Sequence, residues 1–232
     1  MEQQDILSMT LPELQAAVQE LGEPKFRAKQ IFNWLHQKRV TDFSEMTTLS
    51  LPFRERLASD FCINRLKIAK RLASSVDDTV KYLYELPDGN YVETVCMQYH
   101  HGTSLCISTQ VGCRMGCRFC ASAIAGFVRN LTPAEMLLQI YETERAQNCK
   151  ISSLVLMGIG EPLDNFDNVM RFLELVNHPD GMNIGMRHIS LSTCGLVDKI
   201  DKLAELQLQL TLSVSLHAPD DATRSQIMPV NR

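Results

Sequence analysis

An α/β fold built on a parallel sheet or barrel, preceded by a small helical domain, is what this sequence predicts, and three observations predict it. Strand-like apolar runs recur at 104–108, 153–157, 188–192 and 210–215. Segments of helical period separate these four runs, at 132–147, 165–177 and 197–206. The strands end in polar or glycine-containing sequence: Gly112-Cys113, Gly158-Ile159-Gly160-Glu161-Pro162, Ser192-Thr193-Cys194-Gly195 and Ser215-Leu216-His217. Alternation at this length makes parallel βαβ units. In such folds the carboxyl ends of the strands carry the chemistry.

Residues 1–75 read as short helices. The first begins at Thr10-Leu11-Pro12-Glu13, where a hydroxyl N-cap and a glutamate three residues on can satisfy two orphan amides, and Leu11, Leu14, Val18 and Leu21 then share a face. A second follows the Gly22-Glu23-Pro24 break, with Phe26, Ile31, Trp34 and Leu35 for burial. A third follows Ser50-Leu51-Pro52, with Phe53, Leu57 and Phe61 at helical spacing. Residues 76–100 read as a linker hairpin, because Val80-Lys81-Tyr82-Leu83-Tyr84 and Tyr91-Val92-Glu93-Thr94-Val95 alternate around Pro87-Asp88-Gly89-Asn90. The core then occupies 101–232. Its first long helix starts at a second capping box, Thr132-Pro133-Ala134-Glu135.

Of the 232 residues 45% are apolar and 22% charged, an ordinary globular balance that excludes a disordered, collagen-like or disulfide-scaffold protein. The formal charge of −4 means that any nucleic acid must be held by a local basic face. Lys25, Arg27, Lys29, Lys38 and Arg39 oppose only Glu23 between 23 and 39, and Arg54, Arg56, Arg65, Lys67, Lys70 and Arg71 follow. This is either a footprint for phosphates or a solvated surface. No apolar run is long enough to span a membrane, and Met1-Glu2-Gln3-Gln4-Asp5 lacks the features of a signal peptide, so a cytoplasmic protein without membrane contact is expected. In that reducing compartment eight cysteines read as thiols, metal ligands or catalytic groups.

Three of them share one loop, Cys113-Arg114-Met115-Gly116-Cys117-Arg118-Phe119-Cys120. Three thiolates so placed can hold three corners of a 4Fe-4S cubane and leave one iron open to another ligand, since iron–sulfur sites use this soft donor. On the residues alone, a zinc site completed from elsewhere in the fold and three incidental core thiols stay open.

The Cys-x3-Cys-x2-Cys spacing, with Phe119 before the last cysteine, resembles the motif of radical S-adenosylmethionine (SAM) enzymes. The stretch Gly126-Phe127-Val128-Arg129-Asn130-Leu131-Thr132, with Met157 to Leu163, Leu191 to Gly195 and Ser215-Leu216-His217-Ala218-Pro219, is similar to the RlmN-type methyltransferases. That resemblance runs the whole chain. It implies a partial (β/α)6 radical-SAM barrel with a helical RNA-binding accessory domain, holding a 4Fe-4S cluster on Cys113, Cys117 and Cys120. It implies SAM binding by Gly160, Glu161, Ser192, Ser215, Leu216 and His217.

Glu93 matches the proposed general base, which must take the proton from a radical-substituted aromatic carbon. Cys106 matches the thiol that resolves a covalent protein–RNA adduct through a transient disulfide. Cys62, Cys96, Cys149 and Cys194 match no functional position and read as structural. The implied reaction is methylation of adenine C2 in 23S rRNA and tRNA, by a monomeric enzyme fed by a flavodoxin or ferredoxin electron donor. The sister group that methylates adenine C8, a non-catalytic RNA-binding module and a zinc-stabilised structural domain are the alternatives. No cysteine follows Cys194 to carry the methyl group, and four strands do not close a six-stranded barrel, so a C-terminally truncated chain with an unpaired last strand is expected.

Overall fold

The structure, a computed structural model, describes residues 3–231. Met1, Glu2 and Arg232, at the outer ends of the spans read above, lie outside the described residues. In chain order the elements are β1 (Gln4–Asp5), α1 (Leu11–Glu20), α2 (Phe26–Asn33), α3 (Leu51–Asp60), β2 (Phe61–Cys62), β3 (Lys67–Ala73), β4 (Val80–Glu85), β5 (Tyr91–Tyr99) and β6 (Gly102–Cys106). There follow β7 (Gln110–Gly112), β8 (Phe127–Asn130), α4 (Pro133–Gln147), β9 (Ile151–Leu156), α5 (Phe166–Asn177), β10 (Ile189–Thr193), α6 (Val197–Glu205), β11 (Thr211–Val214) and α7 (Asp221–Ile227).

One seven-stranded sheet has the order β11-β10-β9-β6-β5-β4-β3. Strands β6, β9, β10 and β11 run parallel, as the βα alternation requires, and β5, β4 and β3 extend the sheet antiparallel. Two points correct the sequence reading. Residues 67–73 form a strand and not a helix, and the hairpin is sheet, hydrogen-bonded to β6 rather than hanging as a linker.

Helix α4 organises the packing. It starts at the capping box read from sequence, with the Thr132 amide donating to Glu135 at 2.9 Å and the Glu135 amide to the Thr132 hydroxyl at 3.2 Å. Every residue from Pro133 to Glu144 is buried, because the helix lies between two layers. Toward the sheet, Gln139 accepts from the Thr94 hydroxyl and the Ser108 amide, both at 2.8 Å, and Thr143 bonds the Tyr84 hydroxyl at 2.8 Å. Toward the N-terminal helices, the Ala134 amide donates to Ser8, Arg65 forks onto Glu142 at 3.1 and 3.2 Å, and Tyr141 meets His36.

His36 is fully buried, its Nδ1 2.8 Å from the Tyr141 hydroxyl and its ring against Phe32. Burial, with nearby His178, pushes its pKa down from 6.5 to about 3. The neutral ring is therefore the folded form. As pH falls from 6.5 toward 3 the unfolded chain takes up a proton that the folded chain refuses, so stability is present above this window and is lost through it. Urea midpoints measured at stepped pH should fall across that range, and His36→Phe should flatten the fall. Tyr141→Phe, which removes the hydroxyl facing Nδ1, should cost about 1–3 kcal/mol at neutral pH.

Candidate active site

At the carboxyl ends of the parallel strands a cavity of about 200 Å³ is lined by Cys113, Cys117 and Cys120 on one side and by Gly160, Glu161, Ser192, Ser215 and His217 on the other. The cysteine loop is closed at its neck by the short β7–β8 pair and by the Cys113 amide, which donates to the Gly126 carbonyl at 3.1 Å. Arg114 lies 3.8 Å above the Phe127 ring and pairs with Asp164 at 2.9 Å, which fastens the loop to the segment after β9. Phe119, the aromatic of the motif, packs on His217 with ring centroids 4.8 Å apart. His217 holds φ at +59°, a conformation that a residue with a Cβ pays for and that fold-determined sites retain.

Gly160 has φ of +109°, and a Cβ there would stand 2.6 Å from Gln110 Cβ and 2.8 Å from its backbone nitrogen. The glycine lets the cavity wall pass this close to β7. Glu161 is 4% exposed and both its oxygens are engaged by backbone: one accepts from the Leu163 amide at 3.1 Å, the other from the Cys194 amide at 2.8 Å. Its carboxylate thus joins the loops after β9 and β10 while bordering the cavity. Cys194, read from sequence as structural, also lines the cavity.

Burial raises the Cys113 and Cys117 thiols above the usual cysteine value, and the neighbouring thiols add to this. A soft metal group that replaces those protons relieves the cost, so the donor set suits a thiolate-ligated centre. Among the described residues no three His, Cys, Asp or Glu side chains are gathered as one ion's ligands would be.

The family model described as Radical SAM superfamily matches residues 107–231, and that described as Ribosomal RNA large subunit methyltransferase N-terminal domain matches residues 4–63. A curated relative from Lachnoclostridium phytofermentans, named probable dual-specificity RNA methyltransferase RlmN, is 52% identical over 97% of this chain and 64% of its own length. One of the same name from Alkaliphilus oremlandii is 52% identical over 99% of this chain and 67% of its own. The chain belongs to the radical SAM superfamily, in its RlmN-type branch. A crystal structure of a radical SAM methyltransferase from Sphaerobacter thermophilus is similar at a TM-score of 0.90 and 38% identity, covering 99% of this chain and 68% of that one. The chain spans about two thirds of the length of the curated RlmN relatives it matches.

Three residues carried over from the RlmN-type resemblance stand apart from the cavity wall. Leu216 is 62% exposed, and its carbonyl accepts from Arg224 Nε at 3.1 Å. Glu93 is ion-paired with Lys81 at 2.6 Å, and its backbone carbonyl accepts from Ser108. Cys106 is half-buried, its thiol raised by that burial. Register nonetheless puts Glu93 and Cys106 on one side of the sheet: Cys106 pairs with Val95, two residues beyond Glu93, while the intervening Thr94 faces α4. Ser192 shares that side, through Cys106 opposite Val155 and Val155 opposite Ser190. No disulfide joins any of the eight cysteines.

Sequence reasoning missed Arg224 and Lys81. From α7, Arg224 donates to the carbonyls of Cys194 at 2.5 Å and Ser215 at 3.3 Å as well as Leu216, so one guanidinium fixes the ends of both β10 and β11. No local pattern marks it, because these three carbonyls lie 8 to 30 residues away. Lys81 was legible as the residue alternating onto the Glu93 face of the hairpin. Among the described residues no helix is long and apolar enough to cross a membrane.

Proposed function

We propose that the chain supplies the SAM-cleaving machinery of a cytoplasmic RNA methyltransferase that acts on carbon 2 of adenine in 23S rRNA and tRNA. One observation carries this reading: three loop cysteines face strand-end residues of a family-typical set across a single cavity. Cys113, Cys117 and Cys120 would hold the cluster. Gly160, Ser192, Ser215 and His217 would hold SAM, with small groups that leave room and offer donors. Glu161 and Arg224 keep the loops that bear them in place. When bound, a 4Fe-4S cluster supplied with electrons by a flavodoxin or ferredoxin lets SAM be cleaved to a carbon radical.

Glu93 and Cys106 lie on the sheet side shared with Ser192, which suits a proton acceptor and a thiol directed at a substrate over the barrel mouth. The division into an RNA-binding unit at 1–75, whose helices end at Asp60, a hairpin at 76–100 and a radical SAM core at 101–232 belongs to the same proposal, as does a monomeric state. The test reads SAM cleavage, the step that the cavity residues would carry. Anaerobic reconstitution with iron and sulfide should give a brown protein with acid-labile sulfide that releases 5′-deoxyadenosine from SAM under dithionite. Cys117→Ala should abolish both signals. A colourless protein with stoichiometric zinc would overturn the reading.

A further inference from the structure

On the face of the N-terminal helices, sharing no lining residue with the cysteine-loop cavity, lies an open groove of about 640 Å³. Phe26, Trp34 and Leu11 give it apolar surface, and Lys25, Lys29 and Lys38 stand around it. Phe26 opens α2 with its ring 58% exposed, although the next turns of the same helix bury Ile31 and Phe32 completely. Trp34 is half-buried and fixed by its indole N–H, which donates to the Thr48 hydroxyl at 2.8 Å. Lys38 lies 3.4 Å from the Trp34 ring centre and Arg27 5.0 Å from that of Phe26.

The charge of the groove is one-sided. Asp180 is the acid among its lining residues, and it is paired with Lys29 at 3.0 Å. Among the described residues no carboxylate pairs with Lys25 or Lys38. Exposed aromatic surface beside cations that no carboxylate neutralises is complementary to a flexible polyanion that carries flat apolar plates. Single-stranded nucleic acid has both properties, and every base offers a face to stack. A buried duplex would offer phosphates only.

Resting on the RNA reading above, we infer that this groove holds an unpaired base of single-stranded RNA, stacked on Phe26 beside Trp34, with Lys25 and Lys38 on the flanking phosphates. The groove is thus a second RNA contact, separate from the cavity where the chemistry occurs. It would hold the substrate by its unpaired segment.

Trp34 is the chain's one tryptophan, so its emission reports on this groove alone. The test titrates the full chain with a fluorescein-labelled single-stranded oligoadenylate RNA, following label anisotropy and Trp34 emission together. Binding should quench Trp34. Phe26→Ala should weaken binding about ten-fold, and Phe26→Tyr, which keeps the stacking plate, should restore it. Lys25→Ala should reduce the slope of log affinity against log salt by about 0.7.

RNA that binds with unchanged Trp34 emission and equal affinity for Phe26→Ala would overturn the groove while leaving the RNA reading intact. Quenching by duplex RNA or heparin as strong as by the single strand would overturn it too, as a simple charge patch. So would emission that shifts with protein concentration alone, which would put a second copy of the chain in the groove. No RNA binding by any probe, in protein that still cleaves SAM, would remove both the groove and the RNA reading.

Discussion

Gly112→Ala is expected to abolish iron and sulfide uptake while leaving the sheet folded. Gly112 adopts φ of +72°, and a Cβ on it would lie 1.7 Å from the Gly126 carbonyl oxygen and 2.8 Å from its carbon. That same oxygen accepts the Cys113 amide and closes the neck of the loop. The left-handed conformation alone costs an alanine about 1–2 kcal/mol. The overlap is the larger effect, because backbone cannot rotate away as a side-chain tip can, so β7 and β8 must separate. The loop that presents Cys113, Cys117 and Cys120 is then no longer closed. The variant's far-UV circular dichroism and thermal midpoint should stay near those of the parent, because β7 and β8 pair outside the seven-stranded sheet. Iron bound per chain after anaerobic reconstitution is the deciding measurement. A full complement in Gly112→Ala would show that the neck does not govern the loop.

Much of this was legible because the relevant signals are local or periodic. The parallel strands and α4, α5 and α6 follow from runs of fixed period, α4 with a capping box at its start, and the cysteine loop from spacing alone. Strand β3 was not legible, because all seven of its residues are exposed, so no alternation of buried positions marks it. Lys67, Lys70 and Arg71 read as a phosphate footprint or a solvated surface within a helical span, and prove to be the cationic edge of a sheet, a usual protection of such edges. Strands β7 and β8 exist only through each other, being short and defined by pairing across the cysteine loop. The strand-end motifs located the cavity, but they could not distinguish a side chain that lines it from one that braces it. Leu216 and Glu161 look alike in sequence as members of a motif. One presents a carbonyl to Arg224, and the other gives its carboxylate to two amides.

That bracing makes Glu161→Ala the variant with the largest expected loss of stability. It strips the acceptor from the Leu163 and Cys194 amides at once, in surroundings that exclude water. Each unpaired buried donor costs about 1–3 kcal/mol, so the two together should cost about 2–6 kcal/mol. At roughly 2–4 °C per kcal/mol for a chain of this size, the thermal midpoint should fall by at least several degrees. Glu161→Gln separates bracing from charge. Its amide oxygen can accept from one N–H, while its NH2 group meets the other donor unfavourably, so an intermediate midpoint is expected. SAM affinity should follow the same order of parent, Gln and Ala, since the loop released at Cys194 and Gly195 forms part of the cavity wall. If Glu161→Gln matched the parent in stability yet lost SAM, the carboxylate would be a direct contact to the cofactor. If both variants kept the parent's midpoint, neither the Leu163 nor the Cys194 amide could depend on Glu161, and the bracing role would fall.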